Sequence, residues 1–317
     1  MTMKIKNKIL SLVWPNADRD LHILMPVLTY LQKEYRLEYK VKSIFNGYYY
    51  LLKYRPKILV ISGFAGACVN YDITKLAYSM GIKVVSLISE GNVVDTDWLL
   101  WNDNYSSRQL YLDKFLLWSK RTERMALSKY PYLDDKIVAT GATGFDRYKL
   151  LNFKSKDSFL KENNLKYKKI IGIASYGFCY LFGDFYKKRE NIYVGMYGQD
   201  QIDMYRNDLV RLQKIYREII NNNPDILFIL RYHPGTIDFE KNEFYGLEDL
   251  DNVFISNNFT STDYQVADLI NISDLWIAYE TTTALEAWLL GKQTFLINPT
   301  RSDFIRENVH KGSPIVS

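Results

Sequence analysis

The sequence predicts an α/β protein built from two domains, each with a parallel sheet. Its 317 residues exceed what one core of ordinary size needs. Short apolar runs alternate with amphipathic stretches along the chain, which is typical of βαβ units. Hydrophobic residues make up 47% and charged residues 24%, as in a folded globular protein. We therefore expect two Rossmann-like domains, residues 1–150 and 151–317, that face a central cleft.

The first half of the chain contains five apolar runs of strand length, separated by stretches with helical periodicity. Pro26 is expected to kink the first helix or to mark a fresh start. The predicted strands are Lys8–Trp14, Ile58–Ser62, Ile82–Ile88, Phe115–Trp118 and Ile137–Thr140. The predicted helices are Leu21–Tyr35, Asp72–Met80 and Arg121–Lys129.

A polar, lysine-rich segment, residues 150–169, interrupts this rhythm and is interpreted as a helix and linker between the domains. The strands predicted after it are Lys169–Ser175, Asp225–Arg231, Val253–Ser256, Leu275–Ala278 and Gln293–Ile297. The helices predicted after it are Asp203–Asn221, Asp263–Ile272 and Ala284–Leu290. Asp203 is expected to cap the first of these helices.

Charge and composition exclude several kinds of protein. The net charge of +5 suits phosphate-bearing ligands or an anionic membrane surface, but not a nucleic-acid backbone. Two cysteines and three histidines, far apart, argue against a disulfide scaffold or a zinc site, and we expect neither metal nor cofactor. No apolar run reaches the ~18 residues that cross a bilayer. We expect a cytoplasmic protein that can associate peripherally with the inner face of the membrane.

Ligands of open parallel sheets bind beyond the carboxyl ends of the strands, so residues that follow strands are candidates. Glu90, followed by Gly91 and Asn92, comes directly after a predicted strand. A carboxylate there can take a proton from an attacking hydroxyl if burial raises its pKa; a solvated loop glutamate is the alternative. Gly63 also follows a strand, but without the full dinucleotide-binding spacing, so tight packing of strand and helix competes with a binding role.

Arg231, His233 and Pro234 follow a predicted strand of the second half. A fixed cation beside a titratable donor suits a pyrophosphate or a carboxylate, and the proline stiffens the exit from the strand. The alternative is a surface histidine in a turn.

A cluster of hydroxyls, Thr281, Thr282 and Thr283, lies between a strand and a helix. Hydroxyls and free N–H groups at a helix N-terminus form an anion site. Thr283 and Glu286 alternatively have the spacing of a capping box, and both interpretations can hold together. Glu286 could instead accept hydrogen bonds from ribose hydroxyls.

Two loops of the second half add weaker candidates. Ser175, Tyr176 and Gly177 open the loop after its first strand and can approach a phosphate or stack on a base. Asp200 precedes the long helix and is expected to face the cleft. In the first half, the aromatic segment Trp98–Trp101 can stack on sugars or form a buried hairpin.

The order of these motifs resembles that of GT-B glycosyltransferases of bacterial surface-carbohydrate synthesis. Glu90-Gly91, His233-Pro234 and the threonine cluster with its following TALEA helix occur in the same order. The segment Thr140–Tyr148 is similar to a segment of related surface-carbohydrate proteins. The resemblance is strongest to enzymes that use CMP-activated acidic sugars, the sialyltransferases and the Kdo transferases of capsule, O-antigen and lipopolysaccharide.

The resemblance implies transfer of an acidic sugar from a CMP donor to a hydroxyl of a glycan or lipid-linked glycan. Glu90 would be the base in an acceptor-binding first domain. In a nucleotide-sugar-binding second domain, His233 would lie near the donor phosphate or carboxylate, with Thr281 and Thr282 on the phosphate. Serine before Glu90 and threonines in place of a serine pair depart from the pattern, so the sugar stays open. A retaining enzyme would also need a nucleophile, for which Asp200 is the choice.

Three alternatives stay open. A CDP-glycerol or CDP-alditol phosphotransferase of the teichoic-acid type carries an Arg-Pro-His-Pro-like motif, close to the segment Arg231–Pro234. Such enzymes have a further histidine in the first domain, where the sequence offers only His22, inside a predicted helix. A UDP-sugar transferase and a non-catalytic scaffold that binds sugar nucleotides are the other two.

Overall fold

The computed structural model describes residues 8–14, 18–66, 68–89, 109–182, 194–195, 198–234, 236, 240–256, 264–279 and 281–300. The chain divides into two units, Met1–Asp146 and Arg147–Ser317, a few residues before the predicted boundary. In the described part of each unit there is one sheet whose paired strands are all parallel, with helices beside it, which confirms the predicted fold class. Within the described residues, no helix combines the length and hydropathy needed to cross a membrane.

The first unit contains a six-stranded sheet with the order β2-β1-β3-β4-β5-β6. Its strands are β1 (Lys8–Val13), β2 (Glu38–Ser43), β3 (Ile58–Ile61), β4 (Lys83–Leu87), β5 (Lys114–Leu117) and β6 (Ile137–Ala139). Its helices are α1 (Asp18–Tyr35), α2 (Gly47–Tyr54), α3 (Cys68–Ser79) and α4 (Lys120–Lys129). The central strands are buried on both faces, which explains their nearly continuous apolar sequences.

Helix α1 runs through Pro26 as one element, so the expected restart at this residue is wrong. Pro26 is exposed, whereas Ile23, Leu24 and Leu28 are buried in the core. The missing N–H and the ring clash of an internal proline cost about 3 kcal/mol. Burial of three large apolar side chains, at roughly 1.5–3 kcal/mol each, outweighs that cost.

Strand β2 and helix α2 were not predicted from the sequence. Among the strands that the structure describes, β2 pairs with β1 alone and so forms one edge of the sheet. Its sequence, EYKVKS, alternates lysines with apolar residues and therefore lacks the apolar run by which the central strands were predicted.

The second unit contains a five-stranded sheet with the order β11-β10-β7-β8-β9. Its strands are β7 (Lys169–Ala174), β8 (Ile226–Arg231), β9 (Val253–Ser256), β10 (Leu275–Ala278) and β11 (Gln293–Leu296). Its helices are α5 (Arg147–Leu150), α6 (Lys156–Glu162), α7 (Cys179–Phe182), α8 (Gln199–Asn221), α9 (Val266–Ile272) and α10 (Thr283–Leu289).

Helix α8 begins at Gln199, so the predicted N-cap role of Asp203 is wrong. Gly198 occupies the cap position with φ of 84°, a conformation that glycine adopts without strain. Asp203 lies inside the helix, where its Oδ1 accepts hydrogen bonds from Arg206 at 2.6 Å and from Gln199 at 3.0 Å.

Candidate functional site

The carboxyl edge of the second sheet brings together residues that the sequence analysis selected from three separate segments. Strand β7 lies between β8 and β10, and Ala174 is in register with both Arg231 and Ala278. Ser175 follows β7 directly, and its N–H donates to the carbonyl of Arg231 at 2.9 Å. Thr281 is the third residue after the end of β10. The residues after these strands therefore share one edge of one sheet.

The Arg231–Pro234 segment leaves β8 at this edge. Arg231 is the last residue of the strand, and its guanidinium nitrogen NH1 is 3.5 Å from the carbonyl of Ser256 at the end of β9. Half-buried His233 is in a turn, where its carbonyl accepts from the Thr236 N–H at 2.9 Å. The turn alone fits a structural histidine as well as a ligand-binding one, so its catalytic role stays a prediction.

The threonine cluster lies where α10 begins. Thr282 is at the cap position, without a side-chain capping hydrogen bond, and Thr283 is the first helical residue. The Thr283 hydroxyl oxygen accepts from the indole N–H of Trp276 at 3.2 Å. The predicted capping box between Thr283 and Glu286 is therefore wrong, because Thr283 is inside the helix and its hydroxyl is tied to the core.

The hydroxyls of Thr281 and Thr282 differ from that of Thr283 in position. Both residues are half-buried and precede the helix. The Thr281 hydroxyl oxygen accepts from the Thr283 N–H at 3.4 Å, which leaves its own hydroxyl hydrogen to donate elsewhere. Glu286 is buried in the first turn of the helix, and its predicted role toward a ribose stays a prediction.

The loop after β7 is hydrogen-bonded to a buried acid that was not predicted from the sequence. Glu243 is fully buried, and its Oε1 accepts from the Tyr176 N–H at 2.7 Å. Asn242, also buried, donates from Nδ2 to the Ser175 hydroxyl oxygen at 2.9 Å. Burial raises the pKa of Glu243 to about 7, although hydrogen bonds from the main chain and from Ser175 oppose the increase.

The side chains of this loop are already engaged by the protein. The ring of Tyr176 packs on those of Tyr205 and Tyr279, with centroids 5.6 and 5.2 Å away. Gly177 has φ of 91°, so a side chain at this position would strain the turn. The loop is thus well fixed, and the predicted binding roles of Ser175, Tyr176 and Gly177 stay predictions.

Asp200 lies in the first turn of α8 with an exposed side chain. No described contact ties it to the edge that carries Ser175, Arg231 and Thr281. Its role as a nucleophile therefore stays a prediction that rests on the resemblance alone.

The carboxyl edge of the first sheet contains a second buried acid that the sequence analysis missed. Asp20, at the start of α1, accepts at Oδ2 from the Ser62 hydroxyl at 2.5 Å and from the Trp14 N–H at 3.3 Å. Ser89 in turn donates to the carbonyl of Ser62 at 2.9 Å. Burial raises the pKa of Asp20 above its usual range. These bonds join the segments that follow β1, β3 and β4.

Several predicted residues lie outside the described residues: Glu90, Gly91, Asn92, the segment 98–101 and Glu280. Ser89, immediately before Glu90, is described and buried, and it is hydrogen-bonded to the carbonyl of Ser62. The base predicted for the acceptor therefore directly follows this residue in the chain. Gly63 is half-buried; its carbonyl accepts from Ser86 at 2.5 Å, and a Cβ there would lie 3.2 Å from Asn70 Nδ2. This contact fits the packing alternative, and the acceptor-side role of Gly63 stays a prediction.

The fold of the chain is that of several solved sugar-nucleotide enzymes. S. aureus MnaA, solved with UDP, is similar with a TM-score of 0.62 and 14% identity, over 96% of this chain and 83% of that one. The UDP-GlcNAc 2-epimerase of Methanocaldococcus jannaschii, solved with UDP-GlcNAc and UDP, is similar with a TM-score of 0.59 and 14% identity, over 98% of this chain and 88% of that one. The wall teichoic acid polymerase TagF, solved with CDPG, is similar with a TM-score of 0.52 and 14% identity, over 92% of this chain and 70% of that one.

No protein-family model matches the chain, and no curated protein matches its sequence. At 14% identity the similar structures show the fold alone. The chain therefore has the GT-B fold of two parallel-sheet α/β domains, as predicted.

Proposed function

We propose that the chain is a glycosyltransferase that binds a nucleotide-activated sugar at the carboxyl edge of β10, β7 and β8. The observation that carries this proposal is that Ser175, the Arg231–His233 segment and Thr281 follow three adjacent strands of one sheet. Ligands of open parallel sheets bind at such an edge. Complexes of similarly folded proteins with UDP, UDP-GlcNAc and CDPG support a nucleotide as the ligand.

The chemistry at this edge is stabilisation of a leaving phosphate. Breaking the bond between sugar and nucleotide develops negative charge on the phosphate oxygens. Arg231 offsets that charge, and the His233 imidazole and the hydroxyls of Thr281 and Thr282 donate hydrogen bonds to it. These residues can stabilise the leaving group without a metal or a cofactor.

The first unit supplies the acceptor side of the proposal. Glu90 takes the proton of the attacking hydroxyl, directly after a segment fixed by Ser89 and Ser62. The acceptor is a surface glycan or its lipid-linked precursor, which places the enzyme at the inner face of the cytoplasmic membrane.

The donor that we propose is a CMP-activated acidic sugar of the Kdo or sialic acid type, because the motif order resembles transferases of that kind. A CDP-glycerol or CDP-alditol phosphotransferase is the second candidate. The Arg231–Pro234 sequence and the fold similarity to TagF in complex with CDPG favour it. A UDP-sugar donor is the third, favoured by fold similarity to the MnaA complex with UDP.

A donor panel tests the proposal. CMP-Kdo, CMP-sialic acid, CDP-glycerol and UDP-GlcNAc are each incubated with the full chain, with and without glycan acceptors, and nucleotide release is measured. Release of CMP from a CMP-sugar, abolished by Glu90→Gln with nucleotide affinity kept, is expected. Release of CMP from CDP-glycerol would support the second candidate, and release of UDP the third. Conversion of UDP-GlcNAc without an acceptor, or binding without any turnover, would overturn the proposal.

A further inference from the structure

One edge of the first sheet carries a cluster of lysines and tyrosines. Lys40 and Lys42 are two residues apart on edge strand β2 and therefore project from the same face of the sheet. Helix α2 lies beside them. Together they border an open cavity of about 470 Å³ that is lined by Lys40, Val41, Lys42, Tyr50, Lys53 and Tyr54. We call these residues, with Lys8 and Tyr49, the β2–α2 surface.

The tyrosine rings of the β2–α2 surface hold its lysines in place. The ring of Tyr54 carries two ammonium groups, with Lys40 Nζ at 4.6 Å and Lys8 Nζ at 5.1 Å from its centroid. Lys42 lies 5.2 Å from the ring of Tyr50. Lys53 lies 4.9 Å from the ring of Tyr49 and donates to its hydroxyl. Such cation–π contacts keep four positive charges together.

The charge of the β2–α2 surface is positive even when its acidic neighbour is included. Glu38, at the start of β2, acts electrostatically on Tyr54 and opposes the lysines. Four lysines against this carboxylate leave a net excess of positive charge, so the surface favours a partner with many negative groups.

Exposed apolar side chains occur in α2 and directly before it. Phe45, just before α2, is 62% exposed, and Leu52 of α2 is 58% exposed. Trp14 packs edge-on against Phe45, with centroids 5.4 Å apart, and is itself exposed. Phe45 lies three residues after Lys42 and Leu52 is next to Lys53 in the chain, so apolar and charged groups occur close together in sequence, as in a binding surface.

Protection of the sheet edge explains only part of this arrangement. Lysines on an edge strand prevent pairing with another chain, which accounts for Lys40 and Lys42. Protection of the edge does not account for Phe45 and Leu52, because exposed apolar groups promote association. Lysines, tyrosines and exposed apolar side chains in one segment of the chain are instead the composition of a membrane-interface contact.

We propose that the β2–α2 surface docks the protein on an anionic phospholipid bilayer. The lysines contact the headgroup phosphates, and the tyrosine rings lie at headgroup level. Phe45 and Leu52 enter the boundary with the acyl chains. The proposal rests on the proposed function only for the biological reason to dock, a lipid-linked acceptor. A soluble acidic polymer would use the lysines but would have no need of Phe45 and Leu52.

Vesicle flotation of the full chain tests this proposal. The vesicles are phosphatidylcholine alone or equal parts of phosphatidylcholine and phosphatidylglycerol. We expect binding to the anionic vesicles only. A lysine near an anionic surface contributes roughly fivefold in affinity, so Lys40→Ala/Lys42→Ala should weaken partitioning about 25-fold. Phe45→Ser/Leu52→Ser should also weaken it.

The matched control is Lys33→Ala/Lys129→Ala, which removes two exposed lysines and changes the net charge equally. Lys33 is on α1, and Lys129 is on α4, which packs by β6 at the opposite edge of the sheet. The control should bind as the wild type does. An equal loss of vesicle binding in the control and in Lys40→Ala/Lys42→Ala would overturn the proposal. So would a wild type with no preference for anionic vesicles.

Two further outcomes separate this proposal from its rivals. If Phe45→Ser/Leu52→Ser binds vesicles fully and soluble heparin displaces the wild type, the surface binds acidic polymers and the membrane assignment is wrong. Nucleotide titration of the same variants, without vesicles, keeps the proposed function separate. A chain that docks on vesicles but binds no nucleotide would overturn that function and leave the docking surface standing.

Discussion

The main-chain N–H of Tyr176 donates to Oε1 of Glu243 across 2.7 Å, and the acid is fully buried. Its other oxygen, Oε2, has no hydrogen-bond partner among the described residues. An ionised carboxylate is the better acceptor for an N–H donor, whereas burial favours the neutral acid. The loop that the proposed function places against the nucleotide is therefore fixed by a group that titrates near neutral pH.

Glu243 makes stability depend on pH in a defined direction. Its folded-state pKa of about 7 is above the ordinary value of 4.5, so the folded chain binds more protons between these values. Its contribution to the free energy of unfolding is full below pH 4.5 and is lost as pH rises through 7, and the loss is about 3 kcal/mol at most. Urea unfolding at about pH 5 and about pH 8 should show the loss.

The matched variant is Glu243→Gln, which is neutral at every pH. It should reduce the pH dependence without removing it, because burial also raises the pKa values of Asp20 and Asp208. A variant with the same pH dependence as the wild type would show that Glu243 does not titrate in this range.

His233 and Thr281 are expected to bind the nucleotide phosphate. Hydrogen bonds to charged groups contribute about 1.5–3 kcal/mol, so His233→Ala or Thr281→Val should weaken binding roughly tenfold or more. Both residues are half-buried at the sheet edge, and the melting temperature should change little. Isothermal titration measures the affinity. Unchanged affinity in both variants would remove these residues from the site.

Ser62→Ala should destabilise the first unit. It removes the hydroxyl that donates to buried Asp20 and so leaves a carboxylate oxygen with one donor fewer, which costs about 1–3 kcal/mol. The control is Ser79→Ala, in which an exposed hydroxyl loses a bond to the Leu76 carbonyl. Denaturant unfolding of the two variants checks the difference, and equal stabilities would show that the Asp20 contact contributes nothing.

Gly172→Ala should destabilise the second unit through crowding. A Cβ on this residue of β7 would overlap the ring of Trp276 on β10 and lie 2.8 Å from the Ser273 hydroxyl oxygen. Overpacking of a core typically costs 1–3 kcal/mol, so the melting temperature should fall. Gly195→Ala meets nothing within 4 Å and is the control. A melting temperature equal to that of the control would contradict the tight packing of Trp276.

Apolar runs were sufficient to predict the buried strands. Strands Val253–Ser256 and Leu275–Ala278 have the predicted bounds, because both are short apolar runs followed by polar residues. Edge strand β2 was missed, since only pairing with β1 distinguishes its lysine-rich sequence from a loop. Thr283 was misassigned because its partner, the Trp276 indole, comes from a neighbouring strand rather than from the helix itself.

The part of the candidate site that follows the strands was predictable from the sequence, and the buried acids were not. Parallel strands in register bring their following residues to one edge, so Ser175 and Arg231 were found from the strand pattern alone. Glu243 and Asp20 do not follow strands directly, and only tertiary packing buries them. The nearest sequence signal is the pair Asn242-Glu243 before an apolar residue, which occurs in many exposed loops.

A crystal structure of the chain soaked with CMP would decide whether a nucleotide phosphate binds at the carboxyl edge of β7, β8 and β10. Phosphate oxygens are expected within hydrogen-bond distance of the hydroxyls of Thr281 and Thr282 and of the His233 imidazole. CMP bound at another part of the molecule, with this edge left empty, would contradict it.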